Sequence, residues 1–171
     1  MFKLVKPTLS MEKEYVDYIT EWEATEEKIV PNAAKRDSMS FKELVTKWKE
    51  YESERMYEKG LVPSSIYFLM DEDKIIYGAI DIRHELNDYL LRYGGHIGYG
   101  IRPSQRRKGY ASQMLTLALP IVKELGISKA LITCDKNNTG SAKTIMNNGG
   151  ILENEVINGD EITQRYWIEL R

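Results

Sequence analysis

The sequence is poor in the residues that build disulfides and metal sites. Among its 171 residues are one cysteine, Cys134, and two histidines, His84 and His96. A single cysteine excludes a disulfide within the chain and fits a reducing compartment, and we predict no bound metal. The opening MFKLVKPTLS lacks the apolar core of a signal peptide, and no apolar run is long enough to span a bilayer. We therefore expect a cytoplasmic protein with no membrane partner.

The chain also lacks a charge excess of either sign. Its net charge is −2, which argues against a general nucleic-acid binder, since such proteins are basic over a whole face. With 42% hydrophobic and 29% charged residues, the composition is that of a folded protein rather than a disordered one. The length suits one globular domain, and we predict a single domain over residues 1–171.

Two helices are predicted in the first third of the chain, after a short strand FKLVK. Ser10 stands where a helix N-cap would, ahead of acidic residues that suit the positive end of the helix dipole, and this helix should run to about Glu26. Ser40 and Glu43 have the spacing of a capping box, and apolar residues then recur on one helical face. A second helix is therefore predicted over roughly 41–57.

From Pro63 onward the sequence favours strands, because it is richer in β-branched and aromatic residues. SIYFLM and KIIYGAIDIRH are predicted to pair as a hairpin, and a second hairpin connection leads to HIGYGI. An amphipathic helix ending near Gly126 follows, then a strand ALITC, a short helix SAKTIMNN, and a last hairpin of ILENEV with ITQRYWIEL. A strand, a helix and a strand in succession imply a right-handed crossover between parallel neighbours. The order predicts a mixed α/β sheet with helices on both faces.

Positive charge gathers at one junction between a strand and a helix, in the stretch IRPSQRRKGYA. Arg102, Arg106, Arg107 and Lys108 precede Gly109 there. A helix N-terminus presents unpaired backbone N–H groups, and a glycine lets a ligand approach them closely, so the junction is typical of a phosphate site. Neither the P-loop pattern nor the dinucleotide pattern GxGxxG is present.

The junction resembles motif A of the GNAT superfamily of N-acetyltransferases, [QR]xxGx[GA]. Arg106, Gly109 and Ala111 match that motif. The resemblance extends to the preceding strand in YGIRP, to the helix and strand that follow, and to the segment DKNNTGS, where Asn138 matches an asparagine that contacts the pantetheine arm in the family. HIGYGIRPSQRRKGYA and RHELN are also similar to a bacterial subgroup of predicted acetyltransferases.

The resemblance implies a fold, a reaction and a coenzyme site. The fold would be the acyl-CoA N-acyltransferase fold, a mostly antiparallel mixed sheet with one parallel strand pair splayed around the coenzyme. The reaction would move an acetyl group from acetyl-CoA to a primary amine of a small molecule or peptide, by direct attack through a tetrahedral intermediate and without a metal, in a monomer or homodimer. The coenzyme-binding residues would be Tyr99, Gly100, Ile101, Arg106, Arg107, Lys108, Gly109, Tyr110, Ala111, Asn138 and Ser141, and the Ile101 amide would face the developing oxyanion.

The general base is less clearly encoded, and we take His96 and Glu85 as the candidate catalytic residues. Many relatives carry a glutamate early in this strand, where the present chain has His96. The ordinary pKa of histidine suits proton removal near neutrality. An equally good interpretation makes His96 a hydrogen-bonded residue that fixes the loop. Asp81 is a further candidate, although a carboxylate at a strand end is often solvated or paired.

The general acid is where the chain departs from the family pattern. Many relatives have a tyrosine in the short helix after the asparagine, and Ile145 occupies that position here. Tyr99, Cys134, Ser141 or water would then supply the proton. Cys134 is not expected to act as a covalent nucleophile, because a lone cysteine at the end of an apolar strand usually belongs to the core.

Two rival functions and the acceptor itself stay open at this point. The chain could bind acyl-CoA as a non-catalytic sensor, or it could use RPSQRRKG to bind nucleic acid or a protein partner. Residues 12–28 hold seven carboxylates against two lysines. That acidic face is either the solvated side of a helix or a surface that steers a cationic amine. The sequence specifies neither the amine nor the natural acyl group.

Overall fold

The computed structural model describes residues 1–171 and contains seven strands and four α-helices. The strands are β1 (Lys3–Val5), β2 (Ser64–Met70), β3 (Ile76–Arg83), β4 (Ile97–Ile101), β5 (Lys129–Asp135), β6 (Ile151–Asn158) and β7 (Glu161–Glu169). The helices are α1 (Glu12–Glu23), α2 (Phe41–Tyr51), α3 (Tyr110–Glu124) and α4 (Thr139–Asn147). The element order agrees with the one predicted from the sequence.

The first helix differs from its prediction at both ends. A 3₁₀ turn, Leu9–Met11, precedes α1, so Ser10 lies inside a helical run and its hydroxyl bonds to that of Thr8 instead of capping the helix. At the other end α1 stops at Glu23 rather than near Glu26. Thr25 ends it, because the Thr25 hydroxyl and backbone N–H both donate to the carbonyl of Trp22.

The second helix begins as predicted and ends earlier. The capping box is present: the Glu43 N–H donates to Ser40 Oγ (3.2 Å), and the Ser40 N–H donates to Glu43 Oε2 (2.7 Å). The helix ends at Tyr51, not near residue 57, because the backbone at Ser53 is extended and a separate 3₁₀ helix, Glu54–Lys59, follows.

The strands form two antiparallel sheets that meet where β4 and β5 touch. One sheet has the order β1-β2-β3-β4 and the other β5-β7-β6. Their contact is short: the His96 N–H donates to the Leu131 carbonyl (2.7 Å). Further along, the hydroxyl of Tyr99 on β4 bonds to Ser141 Oγ in the first turn of α4, the helix that follows β5 (2.7 Å), so the two strands run in the same direction while moving apart. The predicted parallel neighbours are therefore adjacent without forming a ladder, because the strands diverge after His96, and side chains of Tyr99 and Ser141 bridge the gap.

Helices cover both faces of the sheets, as predicted. On one face α3 and α4 bury residues such as Ile80 and Met114, and on the other α1 and α2 bury residues such as Tyr18 and Phe68. Successive residues of β2 serve the two cores alternately, since side chains alternate along a strand and Leu69 faces α3 while Phe68 faces α1. The fold class predicted from the sequence is confirmed. None of the four helices has the length and hydropathy needed to cross a membrane.

Candidate active site

A cleft of about 800 Å³ opens where β4 and β5 diverge. The loop after β4, the first turns of α3 and α4, and the connection between α1 and α2 form its walls. All of the predicted coenzyme residues line it except Lys108, whose Nζ donates to Gln105 Oε1 (3.0 Å). The lining residues among those predicted are Tyr99, Gly100, Ile101, Arg106, Arg107, Gly109, Tyr110, Ala111, Asn138 and Ser141.

The loop before α3 exposes its backbone amides to this cleft. Gly109 is the N-cap of α3 and has φ +82°, and Arg107 has φ +59°. Left-handed residues in such a loop turn successive N–H groups toward one point, which suits an anion. The amides of residues 106–112 donate to no acceptor within the protein. The backbone of this loop therefore has the geometry of a phosphate site without help from side chains.

The four cations of the loop do different things. Arg102 is buried and bonds to Asp17 Oδ2 (3.1 Å), Glu21 Oε2 (2.8 Å) and the Ile76 carbonyl (3.1 Å), so it joins α1 to the end of β4. This is a correction to the grouping of Arg102 with the phosphate-site cations. The buried guanidinium pairs with two carboxylates of α1. Part of the acidic stretch over residues 12–28 therefore forms ion pairs with Arg102.

Arg106 and Arg107 differ in their availability. The Arg106 guanidinium pairs with Glu27 Oε2 (2.7 Å) and lies 4.8 Å from the centre of the Trp22 ring. Arg107 lines the cleft and has no ion-pair partner. Arg107 is therefore the cation most readily available to a phosphate, whereas Arg106 would have to break its ion pair with Glu27 to bind one.

The first turn of α4 contributes polar groups to the opposite wall. Asn138 caps this helix, since its Oδ1 accepts from the Ser141 N–H (3.0 Å). The Tyr99 hydroxyl and Ser141 Oγ lie 2.7 Å apart. Burial raises the pKa of Tyr99 to about 12 and that of Cys134 to about 11, so both groups stay protonated at neutral pH. Ile145, at the position of the family tyrosine, is wholly buried.

His96 is held where β4 meets β5. Its side chain is 5% exposed, and its Nδ1 accepts from the Leu131 N–H (2.9 Å). Burial, together with the nearby Arg83, lowers the pKa of His96 to about 4. This geometry favours the interpretation of His96 as a loop-fixing histidine, because Nδ1 is already occupied and the ring resists protonation. Its role as the base stays a prediction.

A pH effect on stability follows from the buried His96. Its pKa falls from the ordinary value of 6.5 to about 4 on folding, so the unfolded chain binds a proton that the folded chain excludes between those values. The free energy of unfolding should decrease as the pH drops through this window, by about 2 kcal/mol at about pH 5 relative to about pH 7. Urea denaturation of the wild type and His96→Gln at the two pH values measures it. Equal pH dependence in both proteins would contradict the assignment.

A model of the acetyltransferase (GNAT) domain matches residues 4–151 of the chain. The chain belongs to the GNAT acetyltransferase family. No curated protein sequence matches it. The GNAT fold implied by the sequence resemblance is thereby confirmed, and the enzyme is an acetyltransferase.

Solved GNAT structures resemble the whole chain at low sequence identity. RimL, a ribosomal L7/L12 alpha-N-protein acetyltransferase solved with coenzyme A, is 17% identical with a TM-score of 0.68, over 99% of this chain and 94% of that one. The spermidine/spermine N-acetyltransferase SpeG from Vibrio cholerae is 17% identical with a TM-score of 0.63, over 99% of this chain and 92% of that one. At these identities the likeness concerns the fold alone.

The other predicted catalytic residue of this GNAT chain, Glu85, lies away from the cleft. Its side chain is exposed, and it raises the pKa of Tyr57 by accepting a hydrogen bond from that hydroxyl. The structure does not bring Glu85 together with the coenzyme residues, and its catalytic role stays a prediction without geometric support. Asp81 is almost fully buried, which raises its pKa, and it lies beside Arg83.

Sequence reasoning missed one wall of the GNAT cleft, the connection between α1 and α2. Trp22, Glu27, Lys28 and Val30 line the cleft there. Val30 packs so closely on Gly100 that a Cβ at that glycine would lie 2.1 Å from the Val30 carbonyl oxygen. The only local signal was the glycine itself, since a glycine inside a strand marks a close approach of another backbone, and nothing in the sequence identifies the approaching segment.

Proposed function

We propose that this enzyme transfers the acetyl group of acetyl-CoA to the amine of a small molecule or a peptide. The observation that carries the proposal is the loop before α3, whose unpaired amides and Gly109 face the cleft between β4 and β5. The donor set fits a diphosphate, since it combines several N–H groups with the free cation Arg107. When bound, acetyl-CoA supplies an activated acetyl thioester. The protein must orient it and move protons at the amine and the sulfur.

The amide of Ile101 is the best placed donor for the thioester oxygen. On either side of β4, the Arg102 N–H donates to the Tyr77 carbonyl and the Arg83 N–H donates to the His96 backbone carbonyl. In an antiparallel pair, alternate residues turn their backbone groups toward the partner strand. The Ile101 N–H therefore points away from β3, toward the side on which β5 diverges. Ile101 lines the cleft, so this amide suits stabilisation of a developing negative charge.

Tyr99 is the best placed side chain to protonate the departing sulfur. It lines the cleft, and its hydroxyl is protonated at neutral pH, with a pKa that burial raises to about 12. Ser141 Oγ, 2.7 Å away, orients the hydroxyl and connects it to the first turn of α4. Cys134 is less suitable because its thiol belongs to the buried core. A tyrosine on β4 would thus take the task that the family gives to a tyrosine on α4, where this chain has Ile145.

Tyr99→Phe should therefore lower kcat and leave coenzyme binding almost unchanged. Removal of a proton donor of this kind reduces the rate by about 100-fold, whereas the ring still fills its place in the core. Steady-state kinetics and calorimetric titration with acetyl-CoA measure the two effects. Tyr77→Phe is the matched control, because the Tyr77 hydroxyl donates to Asp71 (2.8 Å) outside the cleft. A Tyr99→Phe enzyme as active as the control would assign the proton to water or Ser141.

Binding and turnover experiments test the function as a whole. Calorimetric titration with acetyl-CoA and with desulfo-CoA should show binding of both, and failure of both to bind would refute the proposal. Thiol release is then followed with a panel of amines that includes spermidine, free amino acids and peptides with a free amino terminus. Coenzyme binding with no turnover across the panel would favour the sensor function.

The third function considered from the sequence, binding through RPSQRRKG, has less support. Arg102 is buried in a network with α1, Arg106 is paired with Glu27, and Lys108 bonds to Gln105. The stretch is therefore not the free basic patch that its composition indicates. A cytoplasmic location, a monomer or homodimer, and one domain over residues 1–171 complete the proposal and rest on the sequence alone.

A further inference from the structure

The stretch RHELN contains an arginine that the coenzyme site leaves unexplained. Arg83 forms an ion pair with Asp81, with 3.2 Å between its Nε and Asp81 Oδ2. Its Nη1 donates to the carbonyl oxygens of Gly94 (3.2 Å) and Gly95 (3.4 Å). These contacts fix the guanidinium, and Nη2 has no acceptor in the protein. A rigid, partly exposed guanidinium with one free NH₂ group is a ready donor for a carboxylate or carbonyl oxygen.

The free edge of Arg83 lies over β4. A Cβ built on Gly98 would be 3.2 Å from Nη2, so glycine at this position makes room for the guanidinium. Asp81 is opposite Gly98 in the antiparallel register, and Ala79 is opposite Gly100. Because side chains alternate along a strand, Arg83 shares a face with Gly98 and Gly100, the face opposite the Tyr99 ring.

The same face reaches the cleft at Gly100. Gly100 lines the cleft, and on this face the Val30 carbonyl lies directly over it, 2.1 Å from a Cβ built there. Gly98 and Gly100 are two residue steps apart along the extended strand, a distance of about 6.6 Å. With glycine at both positions, no side chain of β4 stands between the guanidinium and the predicted place of the thioester.

We propose that Arg83 binds an oxygen of the acceptor, which is therefore an amine with a carboxylate or carbonyl on the adjacent carbon. This inference rests on the proposed function and specifies its acceptor. An α-amino acid or the amino terminus of a peptide has this chemistry. One hydrogen bond of about 2.9 Å to Nη2, followed by the short span from that oxygen to the amine, covers the distance to Gly100. Asp81 is a positioning residue, since it holds the guanidinium in place.

Matched acceptors test the proposal in the wild-type enzyme. The twenty common L-α-amino acids are compared with their decarboxylated amines and with dipeptides that carry a free amino terminus, using thiol release from acetyl-CoA. At least one amino acid or dipeptide should exceed its decarboxylated amine by about 100-fold in kcat/KM, because a site built to bond an oxygen rejects analogues that lack it. Activity on dipeptides but not on free amino acids would assign the peptide source, and the reverse would assign the free amino acid.

Equal or better turnover of the decarboxylated amines would overturn the proposal. So would the absence of turnover of every amino acid and dipeptide by a protein that binds acetyl-CoA in calorimetry. A protein that does not bind acetyl-CoA would instead refute the proposed function, so the two failures are distinguishable.

A variant pair provides an independent test. Arg83→Lys keeps the charge and loses the planar fork, so KM for the best amino acid or dipeptide should rise at least about 10-fold, with kcat and the Kd for acetyl-CoA close to wild type. Arg92→Lys is the control, because Arg92 is exposed in the same connection and its guanidinium lies over the Tyr93 ring, 5.4 Å from the ring centre. An unchanged KM in Arg83→Lys would overturn the proposal, and if that variant fails to fold, the acceptor comparison in the wild type decides.

Discussion

Gly109→Trp is expected to weaken the binding of acetyl-CoA by roughly 100-fold while the protein stays folded. The indole would stand beside the amides of the loop before α3 and block the approach of a diphosphate. Loss of two charge-assisted hydrogen bonds at about 1.5 kcal/mol each raises Kd by roughly 100-fold. Calorimetric titration measures Kd, and circular dichroism with thermal unfolding monitors the fold.

The fold should tolerate this change, because nothing lies within 4 Å of a Cβ built on Gly109. The cost is backbone strain, since its φ of +82° is unfavourable for any residue with a Cβ. That strain is about 1 to 2 kcal/mol, which lowers Tm by a few degrees in a chain of this length.

Gly126→Trp separates strain from blockage. Gly126 has φ +86°, has nothing within 4 Å of a built Cβ, and follows the opposite end of α3. It should lose the same stability and keep full affinity for acetyl-CoA. If Gly126→Trp binds as poorly as Gly109→Trp, strain in α3 rather than blockage explains the loss, and the loop is not the phosphate site.

Local signals in the sequence predicted most of the secondary structure. The capping box at Ser40, the strand-forming runs after Pro63 and the glycine at the end of α3 each depend on neighbours within a few residues. The errors at Ser10 and at the ends of α1 and α2 have the same origin. A 3₁₀ turn before α1 and the side-chain bond of Thr25 after it compete with capping signals of similar strength.

The coenzyme wall of the cleft could be predicted because it is contiguous in sequence. Residues 99–111 form one strand end, one loop and one helix start, and their order alone places them together. The wall made by Trp22, Glu27 and Val30 could not be predicted, since its position depends on how α1 packs across the sheet. The state of His96 also depends on distant residues, namely Leu131 and Arg83.

The same long-range packing explains why the function of Arg102 was not visible in the sequence. In the linear chain it is one of four adjacent cations. In the structure it is buried at the end of β4 and bonds to two carboxylates of α1 that lie more than eighty residues earlier. Glu21 also accepts from the Ser104 N–H (2.6 Å), so the network holds the turn that precedes the coenzyme loop.

Arg102→Met should therefore be the most destabilising single change in the loop. It removes the buried guanidinium that donates hydrogen bonds to Asp17, Glu21 and the Ile76 carbonyl. Loss of one member of a buried pair costs about 3 to 5 kcal/mol. Because both carboxylates regain some water, we expect a decrease of about 2 to 3 kcal/mol in the free energy of unfolding, which corresponds to about 4 to 12 °C in Tm. Urea denaturation and thermal unfolding measure it.

Arg106→Met is the matched control, because it removes an ion pair of the same type from a more exposed place. The Arg106 and Glu27 side chains are 37% and 52% exposed, against 8% for Arg102. An exposed pair contributes less than about 1 kcal/mol, so the control should unfold close to the wild type. Equal destabilisation by the two substitutions would mean that Arg102 stabilises the loop by charge alone. Arg102→Met should lower the free energy of unfolding more than Arg106→Met does. If Arg102→Met costs less when Glu21 is already glutamine than it does in the wild type, the two side chains act as a coupled pair joining α1 to the coenzyme loop.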